Sequence, residues 1–165
     1  MSLRHDPGLR HDPGLRHVPL RYAPANLTRK DKRKQLNMLR KSRRLYKKHK
    51  YYTRGKVASF KHKTSKHILR AEKIYNVSKI YPNKELADKT GCSVAALKQI
   101  VRKGEGAYYS SGSRPNQTPQ SWGLARLASA ITAGNASIVD YNIIEKGCKH
   151  NKRAFTLVNK RVKNE

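Results

Sequence analysis

The residues best placed for covalent chemistry are Tyr108 and Tyr109, which stand beside Ser110 with Arg114 a few positions on. A tyrosine with a neighbouring arginine is the pair from which a strand-cleaving nucleophile could be built. A nucleophile also needs a base within reach, and no histidine or acid is placed beside these tyrosines by spacing. The stretch from Gly104 to Pro115 is rich in glycine but lacks the strand context and terminal Gly-Lys of a phosphate loop. Cys148-Lys149-His150 supplies two metal-ligand types without the second pair that a zinc site requires. With only ten carboxylates in 165 residues, no acid, base and nucleophile constellation emerges. The sequence predicts no enzyme, no metal, no cofactor and no small-molecule substrate.

What remains is electrostatics. The net charge is +28, and it is unevenly spread. Residues 29–70 carry 18 Lys or Arg against the single acid Asp31, whereas residues 105–145 are close to neutral. Self-repulsion on that scale calls for a polyanion or an acidic partner. Candidate contacts are Arg33, Lys34, Arg40, Arg43, Arg44, Lys47 and Lys48. Tyrosines interleaved with Lys and Arg over 46–54 suit stacking on bases and plain packing equally. Two cysteines, Cys92 and Cys148, are too few for a disulfide framework, which predicts free thiols in a reducing compartment. The N-terminus has no apolar run of a signal peptide, and no stretch is apolar enough to span a bilayer. The expectation is a protein made in the cytoplasm or nucleus, not secreted.

These groups must be positioned by elements of four kinds. Residues 1–28 hold the hexapeptide Leu-Arg-His-Asp-Pro-Gly at 3–8 and 9–14, with a degraded copy at 15–20. Proline every six residues forbids a helix there, so an extended tail is expected. Residues 29–64 form a basic arm with one helix, Thr28 to about Lys50, capped by Thr28 and carrying Leu36, Leu39 and Tyr46 as a narrow apolar stripe. Residues 65–147 form a small helical domain, and 148–165 a basic tail in which Phe155, Leu157 and Val158 can dock. The fold class is mainly α: a small helical domain with a helix-turn-helix-like unit, preceded by a long basic, partly helical extended arm.

Within the domain, Ser65 caps a helix over Lys66–Tyr81 that Pro82 stops. Asn83 opens a short helix ended by Gly91, and Ser93 caps a second through about Lys103. Ala87, Gly91, Leu97 and Ile100 sit at helix-turn-helix offsets: a small residue at the crossing, a glycine for the positive φ of the turn, and a buried stripe on the second helix. That leaves Lys98, Gln99 and Arg102 outward, where Gln99 can read adenine and its neighbours meet phosphate if the helix enters a major groove. Ala95 and Ala96 make a poor reading surface, which favours a helical hairpin that simply packs. Residues 104–117 are expected as a loop, its tyrosines packed on the second helix and Arg114 anchoring it. Thr118 and Pro119 start the next helix, with Trp122 at the centre of the core and Gly134 at the stop. Ser137 and Asp140 form a capping-box pair for a short final helix ending at Gly147, with a strand over Val139–Ile144 as the alternative.

The run Gly106-Ala107-Tyr108, then Gly112-Ser113-Arg114-Pro115, then Trp122-Gly123-Leu124-Ala125-Arg126 resembles a domain of unassigned function shared by bacteriophages and large DNA viruses of algae. The basic composition and arm are similar to minor capsid proteins of chlorella-type viruses. That resemblance implies a virion structural protein on the inner side of a capsid, stapling major and minor capsid proteins through its arm. Viral genomic DNA and the anionic surface of an inner membrane are further implied partners. The alternative is a helix-turn-helix-like nucleic-acid-binding protein for genome packaging or regulation. The family supplies no catalytic residues.

Overall fold

The computed structural model describes residues 18–165, so the hexapeptide repeats before Val18 lie outside the described residues. The fold is all-helical: a 3-10 turn at Leu20–Tyr22, then α1 (Arg29–Tyr46), α2 (Lys66–Tyr75), α3 (Lys84–Thr90), α4 (Val94–Ser110), α5 (Pro119–Ile131), α6 (Asn135–Val139), α7 (Tyr141–Gly147) and α8 (Arg153–Lys163). The only extended pairing among the described residues is one antiparallel bridge between Cys92 and Cys148. The chain divides into two compact units. The first takes residues up to His62 together with Tyr109–Gln117, and the second takes Lys63–Tyr108 and Thr118–Glu165.

In the first unit, Thr28 caps α1 by accepting the Asp31 N–H. The helix buries Gln35, Leu36, Met38, Leu39 and Ser42, a stripe at three- and four-residue spacing. Val57 and Leu27 close over Met38, with Tyr52 and Phe60 packed at the edge. The returning segment is tied down by polar groups. Arg54 is buried and donates to the hydroxyls of Ser42 (2.9 Å) and Ser113 (2.8 Å). The Asn116 side chain accepts from Val57 N–H and donates to the carbonyls of Val57 and Phe60. Gly112, at φ 133°, lies so close to Leu39 and Tyr22 that a Cβ would fall 2.8 Å from Leu39 Cδ2. Thus residues of the arm after α1, and part of the loop expected to pack on the second helix, are the packing partners of the basic helix. Arg114 is exposed, and the anchoring role expected of it falls to Arg54 and Asn116.

The second unit is built around Leu97, Ile100, Leu127, Ile131 and Ile144, all essentially inaccessible. Several elements end or run differently from expectation. α2 stops at Asn76, not at Pro82, because Asn76 takes a left-handed conformation (φ 51°) that its short polar side chain tolerates. The turn lets Val77 and Ile80 enter the core. α4 continues through Gly104, Glu105 and Gly106 to Ser110, where a loop was expected. Two glycines explain this: a Cβ on Gly104 would lie 2.6 Å from Gly123 Cα, and one on Gly123 would lie 2.6 Å from Val101 O. They are the point where α4 and α5 cross backbone to backbone, and their absence of side chains serves packing, with no break in the helix. Trp122 is only half-buried; the place at the centre expected for it belongs to Leu127 and Ile131, further along α5. Thr118 and Ser121 form the capping box of that helix. Past its end, Ala133 carries the positive φ (58°), and Gly134 is needed for its close approach to Ser129. Residues 135–147 form two short helices instead of one, and Ser137 donates to Gly134 O instead of capping. The expected basic tail contains α8, with Ala154, Phe155 and Val158 in the core.

Cys92 and Cys148 are joined as a disulfide, which corrects the expectation of two free thiols and removes its support for a reducing compartment. Fifty-six positions separate them, so no local pattern announces the bond. The bridge hydrogen bonds Ser93 N–H to Gly147 O and Lys149 N–H to Gly91 O bring the two side chains together.

Two outcomes are expected. Gly104→Ala should destabilise the protein by about 1–3 kcal/mol through overpacking, although alanine is the better helix former. Gly106→Ala, where a Cβ meets nothing within 4 Å, should stabilise it by about 0.5–1 kcal/mol; urea unfolding of both variants checks the pair. Thiol labelling of the denatured, unreduced protein should modify neither cysteine, and reduction should lower stability by about 4 kcal/mol for a loop of this length.

Candidate polyanion-binding groove

Residues at helical spacing on α1 share one face, and on the face away from the core they are nearly all cations. Lys30, Arg33, Lys34, Asn37 and Lys41 line a shallow groove of about 440 Å³, completed by Met38 and Tyr52. Met38 Sδ accepts the Gly55 N–H, which holds the segment bearing Tyr52 against the helix. The Lys41 ammonium stands 4.4 Å from the centre of the Tyr52 ring, a cation–π contact. Lys34 Nζ donates to Lys56 O at 3.0 Å. The groove is therefore a row of cations over an apolar and aromatic floor.

Its neighbouring acid offsets one of these charges at most. Asp31 accepts the Ser59 N–H at 2.8 Å, and the Thr28 N–H donates to the Ser59 hydroxyl. Hydrogen bonds from Ser59, with the nearby Lys34 charge in support, hold the Asp31 carboxyl below its ordinary value. The acid is engaged in fastening residues 56–60 to the start of α1.

The expected contacts separate into three groups. Arg33 and Lys34 line the groove. Arg40 and Arg43 are structural in part: Arg40 donates to Asn37 Oδ1, and Arg43 Nε donates to Ser111 O at 2.8 Å. Arg44, Lys47 and Lys48 lie toward the far end of the helix and just past it, where Lys47 and Lys48 are exposed. Lys30, Lys41 and Tyr52 are groove residues that the sequence reading did not single out. Helical spacing could have found Lys30 and Lys41, which lie four before and seven after Lys34. Tyr52 could not be found in that way, since its place depends on the turn after α1.

The helix-turn-helix-like unit is present as α3, Gly91–Ser93 and α4. Ala87 is half-buried, Gly91 has φ 82°, and Leu97 and Ile100 are buried. Lys98, Gln99 and Arg102 are exposed on α4. The turn itself is crossed by the chain at 147–152: a Cβ on Gly91 would fall 2.2 Å from Lys152 Cβ.

The titratable cluster of the second unit is Asp140, whose side chain is 0% exposed. Arg126 holds it with two parallel bonds of 2.8 Å, Nε to Oδ2 and Nη2 to Oδ1, and Lys103 Nζ stands 2.7 Å from Oδ1. Burial by itself would raise this carboxyl; the bonds from Arg126 and Lys103 and their charges outweigh burial and keep it below the usual value. The same bond raises the Arg126 guanidinium. Elsewhere Tyr75 donates to Ile131 O, and burial pushes its phenol up. Among the described residues no group of three or more His, Cys, Asp or Glu is gathered closely enough to hold a metal ion, and no helix is long and apolar enough to cross a membrane.

A chain whose described residues fold into helices, with a cation-lined groove on one of them and a buried arginine–aspartate clamp, is thus the class that fold and site define. Residues 19–153, most of the chain, match the model of a family of unknown function, DUF5824, and the chain belongs to that family. The match begins within the degraded third repeat, takes in most of both compact units and ends where α8 starts. No curated protein and no solved structure matches the chain.

Because the folded Asp140 pKa is depressed, its contribution is present above the unfolded value of about 3.9 and is lost as pH falls through the folded value. Stability should therefore decline in acid, and Asp140→Asn should flatten that decline while costing about 3 kcal/mol at neutral pH by leaving Arg126 and Lys103 without their anion. Urea unfolding from about pH 2.5 to about pH 7 measures both effects.

Proposed function

We propose that this protein is a virion structural protein that grips the phosphate backbone of nucleic acid through the α1 groove. The observation that carries the binding half is the run of Lys30, Arg33, Lys34 and Lys41 along one helix face, with Asp31 turned onto Ser59 and out of the groove. Cations so arranged bind a polyanion by releasing its counterions, without reading sequence. The viral setting rests on the resemblance carried by Gly106–Tyr108, Gly112–Pro115 and Trp122–Arg126. In that setting the protein lies on the inner side of a capsid, with the genome on its basic face and major and minor capsid proteins as neighbours. An anionic inner membrane would present a similar charge to the same helix, and vesicles of anionic lipid serve as the competing probe.

A second reading has an observation of its own. Lys98, Gln99 and Arg102 stand exposed on the second helix of the helix-turn-helix-like unit, as sequence readout of duplex DNA would require. It predicts binding that depends on base sequence, whereas the groove predicts binding that depends on salt.

The full chain should bind duplex DNA at low salt, with an affinity that falls steeply as salt rises and varies little among sequences. Replacing Lys30, Arg33, Lys34 and Lys41 with Gln should reduce the slope of log affinity against log salt by about 3–4, since each phosphate neutralised contributes about 0.9. An unchanged slope in that variant, or no binding at low salt, contradicts the groove. Absence of the protein from purified particles contradicts the virion setting.

A further inference from the structure

Beyond the groove, α1 ends in a turn that places aromatic rings in solvent. Lys50 N–H reaches back to Leu45 O and His49 N–H to Tyr46 O, with His49 at φ 58°. This is the paired bonding of a Schellman turn with histidine in the left-handed position that glycine usually takes. The turn reverses the chain and brings Tyr51 back beside Tyr46, ring centres 6.2 Å apart and planes tilted by 59°. The Tyr109 ring also packs against Tyr51, at 5.1 Å and 54°. Yet Tyr51 remains 69% exposed and Tyr46 38% exposed. By contrast Tyr52, one residue on, packs into the edge of the core cluster. Of the tyrosines that the basic segment interleaves, one is used for packing and two are held out.

Large rings held in solvent by a defined turn and a bracing neighbour form a platform, and the charges around this one state what it suits. Lys47, Lys48 and Lys50 are all exposed on the same turn, just after the helix end that carries Arg44. Cations that track a phosphate backbone beside aromatic faces on which bases stack are the two components of single-strand binding. In a duplex the base faces are already stacked on each other, so a lone protein ring gains little there. We propose that Tyr51, with Tyr46 beside it, stacks on unpaired bases, so that the polyanion of this unit is nucleic acid with single-stranded character. The proposal rests on the polyanion-binding reading of α1 and specifies its ligand.

The test compares three probes at matched low salt: a single-stranded oligothymidine, a duplex of equal length, and polyphosphate, which has charge but no bases. The wild-type chain should prefer the oligothymidine to polyphosphate of similar charge. Tyr51→Ala should weaken oligothymidine binding about tenfold, within the range for removing one stacked base, and leave polyphosphate binding within about twofold. Tyr51→Phe should restore the wild-type preference. Because Tyr51 is exposed, its variants are expected to unfold at the wild-type midpoint. Equal weakening on both probes, or none on either, overturns the stacking platform and leaves the groove standing. A chain that binds none of the three probes overturns the groove as well. Tyr51→Ala that spares all three probes but abolishes retention on a second protein from purified particles would overturn the proposal in favour of a protein-docking site.

Discussion

Nine cations and one acid on the eighteen residues of α1 set the constraint on which the first unit depends. Such a helix repels itself, and isolated it would have little reason to form. Its stability comes from one narrow face: Leu36, Met38 and Leu39 are buried there, and Ser42 and Gln35 find hydrogen bonds. The bracing groups suit the charge. Arg54 is itself a cation, yet its bonds to two serine hydroxyls tie the returning segment to both α1 and the 109–117 strap. Asp31 is bonded to Ser59 and offsets one charge beside Lys34. The fold thus holds nine cations in place against a single acid on the same helix, so most of their repulsion is not relieved within the helix.

The second unit solves a different problem, that of fixing short helices. α6 and α7 have five and seven residues, too few to be stable without tertiary contacts. Asp140 sits at the junction between them and is clamped by Arg126 of α5 and Lys103 of α4. Arg161 of α8 holds the chain at the start of α6, donating to Ala133 O at 2.6 Å and Asn135 Oδ1 at 2.8 Å. The Cys92–Cys148 bond fastens the end of α7 to the turn between α3 and α4. Three long side-chain links therefore place elements whose own hydrogen bonding is insufficient.

Much of this fold was legible because local chemistry wrote it. The caps Thr28, Ser65, Asn83, Ser93 and Thr118 all accept a backbone N–H two or three residues on, as their position in sequence predicts. Gly91 takes the positive φ expected of it. What was not legible depends on distant partners. Gly104 and Gly106 look alike in sequence as helix breakers, but one meets Gly123 and the other has open space beside it. Asp140 follows Ser137 at capping-box spacing, yet its partners Arg126 and Lys103 come from two other helices far upstream. The cysteine pair and the packing of 109–117 onto the basic helix have the same non-local origin. At the candidate groove, charge density over 29–50 was visible, but the separation of Lys30, Arg33, Lys34 and Lys41 from structural Arg43 needed the partner carbonyl of Ser111.

Lysine-acetylation footprinting of the full chain with and without nucleic acid is the sharpest test of the groove, since it reads which cations the ligand covers. If the α1 groove holds the polyanion, Lys30, Lys34 and Lys41 should be protected while Lys66 and Lys73 on α2 stay reactive. Protection confined to Lys98 on α4, with the α1 lysines as reactive as in the free protein, would contradict it.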